Sequence, residues 1–107
     1  MDDQKMTSKD KMHIMLSFMK ELDGGNIPSA SDYDLEQSDF GAVVELCQNE
    51  GYITGAKFAR GGRGNKIIIS FLENVELTVK GMEYLKENSN LFKFYKGLKE
   101  IREWLPK

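Results

Sequence analysis

Two β-type segments flank a glycine-rich turn in a chain whose other apolar patterns are helical, and this combination limits the folds open to it. The segments 52–58 and 65–72 are rich in isoleucine, tyrosine and phenylalanine, and Gly61-Gly-Arg-Gly64 lies between them. Two such runs around a glycine turn predict a β-hairpin. The chain has 107 residues and 40% apolar content, so we expect one compact domain over residues 1–107.

Helical patterns precede the hairpin in three segments. Apolar residues at three- and four-residue steps predict a first helix over about residues 8–22. A short second helix follows, where Ser29 and Asp32 have the spacing of an N-cap and its third helical position. The third helix is expected over about residues 35–50, with Asp34 as its cap. Its predicted buried face consists of Phe40, Val43, Val44 and Cys47.

Two helices are predicted to follow the hairpin, from Thr78 to about Asn88 and from near Asn90 to about residue 105. The last helix carries an apolar stripe made of Leu91, Phe94, Leu98, Ile101 and Leu105. The same segment exposes more apolar surface than one helix on a small domain normally hides, and this surface either completes the core or forms a homodimer seam between two C-terminal helices. Its residues are Phe92, Phe94, Tyr95, Ile101, Trp104 and Leu105. Three helices, a hairpin and two further helices are the order of a winged helix-turn-helix. We therefore expect an α+β fold of this class, with the hairpin as its wing.

Three strings in this chain resemble those of a known family. They are Asn49-Glu-Gly-Tyr-Ile53, Leu77-Thr-Val-Lys-Gly-Met-Glu-Tyr-Leu-Lys-Glu-Asn88 and Tyr95-Lys-Gly-Leu-Lys-Glu-Ile-Arg-Glu-Trp-Leu105. Together they look like the YjcQ family of small bacterial and prophage proteins, and the resemblance covers nearly the whole chain. It implies a winged-helix fold and a mobile-element setting, which would suit a phage or prophage transcriptional regulator. It transfers no functional residue to this chain.

Positive charge is concentrated at the predicted hairpin, although the whole chain has a net charge of −2. Residues 51–72 contain no Asp or Glu, and they contain four cations, Lys57, Arg60, Arg63 and Lys66. Cations at a flexible tip suit contacts with DNA phosphates or with a narrow minor groove. The alternative is that they only keep an exposed hairpin from pairing with another sheet. By analogy with the fold class, we expect double-stranded DNA as the partner and these four residues as wing contacts.

The third helix is a weaker candidate for DNA contact. Residues 29–50 contain six carboxylates and no Lys or Arg, and this charge repels phosphates. Gly41 and Ala42, on its expected solvent side, would permit close approach. Three side chains on that side could hydrogen-bond to base edges, namely Gln37, Ser38 and Gln48. The competing interpretation is a protein-interaction module that docks this acidic surface onto a basic partner and binds no DNA.

Enzymatic chemistry is not expected. Cys47 falls on a predicted apolar face, where a buried inert thiol is the simpler interpretation, and one cysteine with one histidine cannot form a zinc cluster. The glycine turn lacks the Gly-Lys-Ser/Thr ending of a phosphate-binding loop. We expect no catalytic residue, metal or cofactor. No apolar run reaches the roughly 18 residues of a membrane span, so we expect a cytoplasmic protein without a membrane partner.

Overall fold

The computed structural model describes residues 6–93 and 97–104, which form helices, 3-10 turns and short strands. The helices are α1 (Ser8–Asp23), α2 (Gln37–Asn49), α3 (Val79–Glu87) and α4 (Leu98–Trp104). The 3-10 turns are Ala30–Tyr33 before α2 and Ser89–Phe92 after α3. The strands are β1 (Ile53–Thr54), β2 (Lys57–Gly61), β3 (Lys66–Phe71) and β4 (Glu76–Leu77). The fold is α+β, as expected, and its order of elements is compatible with a winged helix-turn-helix.

The core lies between α1, the first 3-10 turn and α2. Phe18 of α1 meets Phe40 of α2 edge to face, with 5.9 Å between ring centroids, and Tyr33 stacks on Phe40 at 6.0 Å. The hydroxyls of Tyr33 and Ser17 lie 3.0 Å apart and satisfy each other inside the core. The predicted buried face of α2 is confirmed, because Phe40, Val43, Val44 and Cys47 are all buried.

Local capping explains most of the element starts. At the first 3-10 turn, the predicted pair forms, since the Ser29 amide donates to the Asp32 carboxylate at 2.8 Å. The predicted cap of the fourth helix also forms, because the Thr78 hydroxyl accepts from the Gly81 amide at 3.0 Å. The expectation that Asp34 caps α2 is wrong. Asp34 has a positive φ of 57° and ends the 3-10 turn, and α2 begins only at Gln37.

The hairpin is a two-stranded ribbon with an interruption. β2 and β3 pair around the turn 62–65, and β1 and β4 pair at the other end of the ribbon. Between the two paired regions, the backbone of Gly55 approaches that of Asn74 so closely that a Cβ there would lie 2.0 Å from the Asn74 carbonyl oxygen. Gly55 also has a φ of 91°, so this crossing requires glycine. The interruption divides the first predicted β-type segment into β1 and β2.

One face of the hairpin lies on α2. Ile67 of β3 is buried there, and a Cβ added to Gly41 would lie 2.6 Å from Ile67 Cγ2. Gly41 is therefore buried beneath the hairpin, which corrects the expectation that it lies on the solvent side of the helix. The close approach that glycine permits is made by β3. The side of α2 that remains open carries Asp39, Ala42, Leu46 and Asn49, which we call the α2 outward face.

The C-terminal stripe is divided between two elements and does not form one continuous helix. The 3-10 turn Ser89–Phe92 comes first, and α4 begins after Gly97. Ile101 of α4 is fully buried in the core, and Leu98 packs against the same cluster. This part of the stripe thus completes the core and is not available to a homodimer seam. Phe94, Tyr95 and Leu105 lie outside the described residues, as do the side chains of Leu91, Phe92 and Trp104.

Candidate nucleic-acid interface

The tip of the hairpin presents exposed cations on a tight turn. Arg63 lies within the turn and Lys66 begins β3, and both side chains are exposed. The turn is made possible by three residues with positive φ, which are Gly62, Gly64 and Asn65. We call residues 62–66 the hairpin tip. Lys57 is also exposed, but it lies at the far end of β2, opposite Phe71.

Arg60 is not a free cation of the hairpin. Its guanidinium forms a salt bridge with Glu45 of α2 and also donates to the carbonyl oxygen of Asn65 at 3.3 Å. The two charged side chains are 36% and 33% exposed, so the pair contributes only modestly to stability. Its main effects are that it holds the hairpin against α2 and that Glu45 compensates the charge of Arg60. Across residues 6–93 and 97–104, no salt bridge involves Lys57, Arg63 or Lys66.

The three predicted base-contacting residues of α2 are not brought together. Gln37 is exposed and Ser38 half-buried in the first turn of the helix, whereas Gln48 lies in the last turn. The Gln48 amide donates to the Ala56 carbonyl oxygen at 3.0 Å and accepts from the Ala56 amide at 2.8 Å. This two-point contact ties the end of α2 to the start of the hairpin. The role of Gln48 is therefore structural, and we remove it from the candidate base contacts.

The α2 outward face is acidic and partly apolar. Leu46 is 37% exposed, and Asp39 lies two turns before it on the same side of the helix. This face carries a carboxylate and no cation. Phosphates that approached α2 from this side would be repelled by the carboxylate.

A β-bulge decides which side chains of β3 face away from α2. Ala59 pairs with Ile69 and Arg60 pairs with Ile67, so Ile68 is an extra residue that shifts the alternation of the strand. Ser70 therefore faces α2 together with Ile67, and its Oγ would lie 3.1 Å from a Cβ on Gly41. Ile69, beyond the bulge, consequently points to the opposite side of the ribbon.

The hairpin side turned away from α2 is apolar and bordered by lysines. The exposed fractions of Ile68, Ile69 and Phe71 are 56%, 42% and 44%, and Lys57 lies opposite Phe71 in the register. We call Lys57, Lys66, Ile68, Ile69 and Phe71 the hairpin outer face. Sequence reasoning missed it, because three consecutive isoleucines carry no alternation that could separate an inner from an outer side.

Cys47 is poorly placed for chemistry. Its side chain is fully buried, and burial raises the pKa of its thiol to about 12, so it is protonated at neutral pH. Within the described part of the chain, no three histidine, cysteine, aspartate or glutamate residues group as metal ligands. In the same residues, no helix has both the length and the apolar character needed to cross a bilayer.

Comparisons with known proteins agree on one family. The family model described as YjcQ protein matches residues 13–104. The chain is 35% identical over 99 residues to the "Uncharacterized protein YjcQ" of Bacillus subtilis (strain 168), an alignment that covers 92% of this chain and 98% of that protein. The chain belongs to the YjcQ family. The resemblance read from the sequence strings is thereby confirmed. The search of solved structures gave no significant match.

The YjcQ match extends from within α1 to the end of α4. The hairpin tip, the hairpin outer face and the α2 outward face all lie inside the matched region. They are therefore parts of the YjcQ domain itself and do not lie on an appended segment.

Proposed function

We propose that this YjcQ protein is a non-enzymatic DNA-binding protein whose hairpin serves as the wing of a winged helix. The observation that carries the proposal is the hairpin tip, where Arg63 and Lys66 are exposed on a ribbon that contains no carboxylate from Lys57 to Phe71. Transcriptional regulation in a phage or prophage is the role that suits such a wing.

When DNA contacts the hairpin tip, its phosphates meet an exposed element whose charged side chains are all cationic. Arg63 and Lys66 reach the phosphates, while the salt bridge between Arg60 and Glu45 keeps the ribbon braced against α2. Phosphate contacts position a protein on the duplex without reading its sequence. We therefore expect a weak sequence preference, with Gln37 and Ser38 as the remaining candidates for base contact.

Salt dependence tests the proposal. Each phosphate neutralised contributes about −0.9 to the slope of log affinity against log salt concentration. The variant Arg63→Ala/Lys66→Ala should therefore flatten this slope by roughly 1.8 per protomer. Fluorescence anisotropy of a labelled duplex across a salt series measures it. Because both residues are exposed, we expect the free energy of unfolding to change by no more than about 0.5 kcal/mol.

Arg60→Ala is the matched control for this experiment. It also removes one cation from the hairpin, but Glu45 already compensates that cation, so the slope should change much less than in the tip variant. If the wild-type protein has no affinity for DNA at low salt, or if the tip variant retains the wild-type slope, the DNA-binding proposal is wrong.

A second function, docking onto a basic protein, is favoured by the α2 outward face. Leu46 and Ala42 offer apolar contact beside the carboxylate of Asp39, a combination that suits a partner with both apolar and cationic groups. Asp39→Lys separates the two functions. It should strengthen DNA association if DNA approaches this side of α2, and it should abolish capture of a basic partner if docking is the role of the face.

A further inference from the structure

The hairpin outer face is a concentrated apolar patch. Eight large apolar side chains are exposed in the described residues, and three of them, Ile68, Ile69 and Phe71, lie together on this one face. Single exposed apolar residues are normal on a protein surface, whereas a cluster rimmed by polar residues marks an interaction site. Here the rim is cationic, with Lys57 opposite Phe71 and Lys66 at the other end of β3.

DNA contact does not account for this patch. Phosphates would engage Lys57 and Lys66 but would leave the side chains of Ile69 and Phe71 in water. A ribbon of two strands also depends on packing for its stability, and here α2 packs against only one of its faces. The outer face therefore fits a protein surface that combines apolar side chains with carboxylates.

The α2 outward face has that composition. Leu46 and Ala42 are exposed on it, Asp39 supplies a carboxylate, and the acidic stretch 29–50 around it contains no cation. One chain thus carries both members of a complementary pair, one cationic and apolar and the other acidic and apolar.

The two faces cannot meet within one molecule. The inner side of the hairpin is already seated on α2 through Ile67 against Gly41 and through the salt bridge of Arg60 with Glu45. Successive residues of an α-helix are about 100° apart around its axis. Ala42 and Leu46 of the outward face each follow by one residue a position beneath the hairpin, so the two sides of α2 lie roughly 100° apart. The hairpin outer face consequently points away from α2 and is open to a second molecule.

We propose that the hairpin outer face of one copy docks onto the α2 outward face of a second copy of this chain. The inference rests on the docking function proposed above for the α2 outward face, and it identifies the basic partner as a second copy of this chain. Phe71 and Ile69 cover Leu46 and Ala42, while Lys57 approaches the carboxylate at the start of α2. Because two different faces meet, the contact is head-to-tail and extends into a ring or an open chain. Each face has only a few side chains, so the association is weak and depends on concentration.

Complementary variants test the head-to-tail contact. Phe71→Ser disables the hairpin outer face and Leu46→Ser disables the α2 outward face, and each alone should weaken self-association by roughly tenfold or more in sedimentation experiments. When the two variants are mixed, the intact hairpin of one can dock on the intact α2 of the other, so a one-to-one complex should form. Val79→Ser is the control, because Val79 is 68% exposed and lies on neither face.

A charge exchange provides a second test that leaves the apolar residues in place. In a contact between identical copies, Lys57→Glu places a new carboxylate next to that of Asp39, and Asp39→Lys places a new ammonium group next to that of Lys57. Each variant alone should therefore associate less than the wild type. In the mixture, the new carboxylate of the first variant faces the new ammonium group of the second, and association should recover. Thermal melts of all the variants confirm that they remain folded.

Three results would overturn the inference. The first is a wild-type protein that stays monomeric at its highest soluble concentration. The second is association that Phe71→Ser abolishes and Leu46→Ser leaves unchanged, which would indicate contact between two hairpins. The third is a mixture of the two serine variants that associates no better than either alone.

Two further experiments distinguish this inference from the proposed functions. Arg63→Ala should reduce the salt slope of DNA binding without changing self-association, because Arg63 lies on the turn. A synthetic peptide of alternating lysine and phenylalanine serves as a basic probe of the α2 outward face. If the wild-type protein stays monomeric but binds this peptide, and Asp39→Lys abolishes the binding, the docking function stands and the self-association inference fails.

Discussion

Val44 illustrates how one position on α2 determines whether the domain folds. It is 1% exposed and packs in the same cluster as Phe40 and Cys47. Val44→Asp would place a carboxylate there without a partner, and we expect a loss of about 3 kcal/mol or more in the free energy of unfolding. Urea denaturation followed by circular dichroism measures this loss.

The matched control is the same substitution two positions away. Ala42→Asp places the new carboxylate on the α2 outward face, where it is solvated, so stability should change by no more than about 0.5 kcal/mol. An unchanged melting temperature for Val44→Asp would show that the buried side of α2 has been assigned incorrectly.

The contact between the hairpin and α2 belongs to the scale of elements, and Gly41 is its closest point. A Cβ on Gly41 would lie 2.6 Å from Ile67 Cγ2 and 3.1 Å from Ser70 Oγ. Gly41→Ala should therefore destabilise the protein by about 1–2 kcal/mol, because the hairpin must move away from the helix. In an Ile67→Ala background the overlap with Cγ2 is gone and Ser70 can rotate its hydroxyl, but the Cβ of residue 67 remains 3.1 Å from the added Cβ.

The destabilisation caused by Gly41→Ala should then be much smaller. Gly41→Ala should change the stability of Ile67→Ala by no more than about 0.5 kcal/mol, since the better helix propensity of alanine offsets the close contact that remains. A double-mutant cycle measures the coupling between the two positions. If Gly41→Ala has the same effect in both backgrounds, Ile67 does not limit the approach of the hairpin to α2.

At the scale of the whole molecule, α4 joins the end of the chain to the core formed near its beginning. Ile101 is fully buried, whereas the ion pair of Arg102 with Asp34 is long, at 3.9 Å, and exposed. Ile101→Ala should therefore cost about 2–4 kcal/mol, and Arg102→Ala no more than about 0.5 kcal/mol. We also expect the 107-residue chain to unfold as a single domain.

Coincident unfolding curves from far-ultraviolet circular dichroism and from tyrosine absorbance would support this expectation. Two separate transitions, or equal losses from Ile101→Ala and Arg102→Ala, would mean that α4 is not held by burial in a common core.

Local spacing in the sequence is sufficient for features that depend on neighbours along the chain. The bounds of α1, the caps at Ser29 and Thr78, and the β-hairpin around its glycine turn all follow from it, because capping and apolar periodicity act within a few residues. The buried side of α2 follows for the same reason. The exception is Asp34, where a residue with capping chemistry adopts a left-handed conformation and ends the preceding turn.

Only the tertiary structure decided which charges of the hairpin are compensated. Arg60 and Arg63 are equivalent in the sequence, and both were candidates for wing contact. Arg60 is compensated by Glu45, 15 residues earlier in the chain, whereas Arg63 is exposed on the turn. No local pattern separates the two, because the compensating carboxylate belongs to a different element.

The tertiary structure also decided which face of each element is covered. Gly41 is buried because Ile67 lies above it, and Ile69 is exposed because the bulge in β3 turns it away from α2 and nothing in the described residues covers that side. Apolar periodicity shows that a side chain can be buried. Burial itself depends on which distant element packs against that side chain, and this packing determines the charges and apolar groups left for a partner.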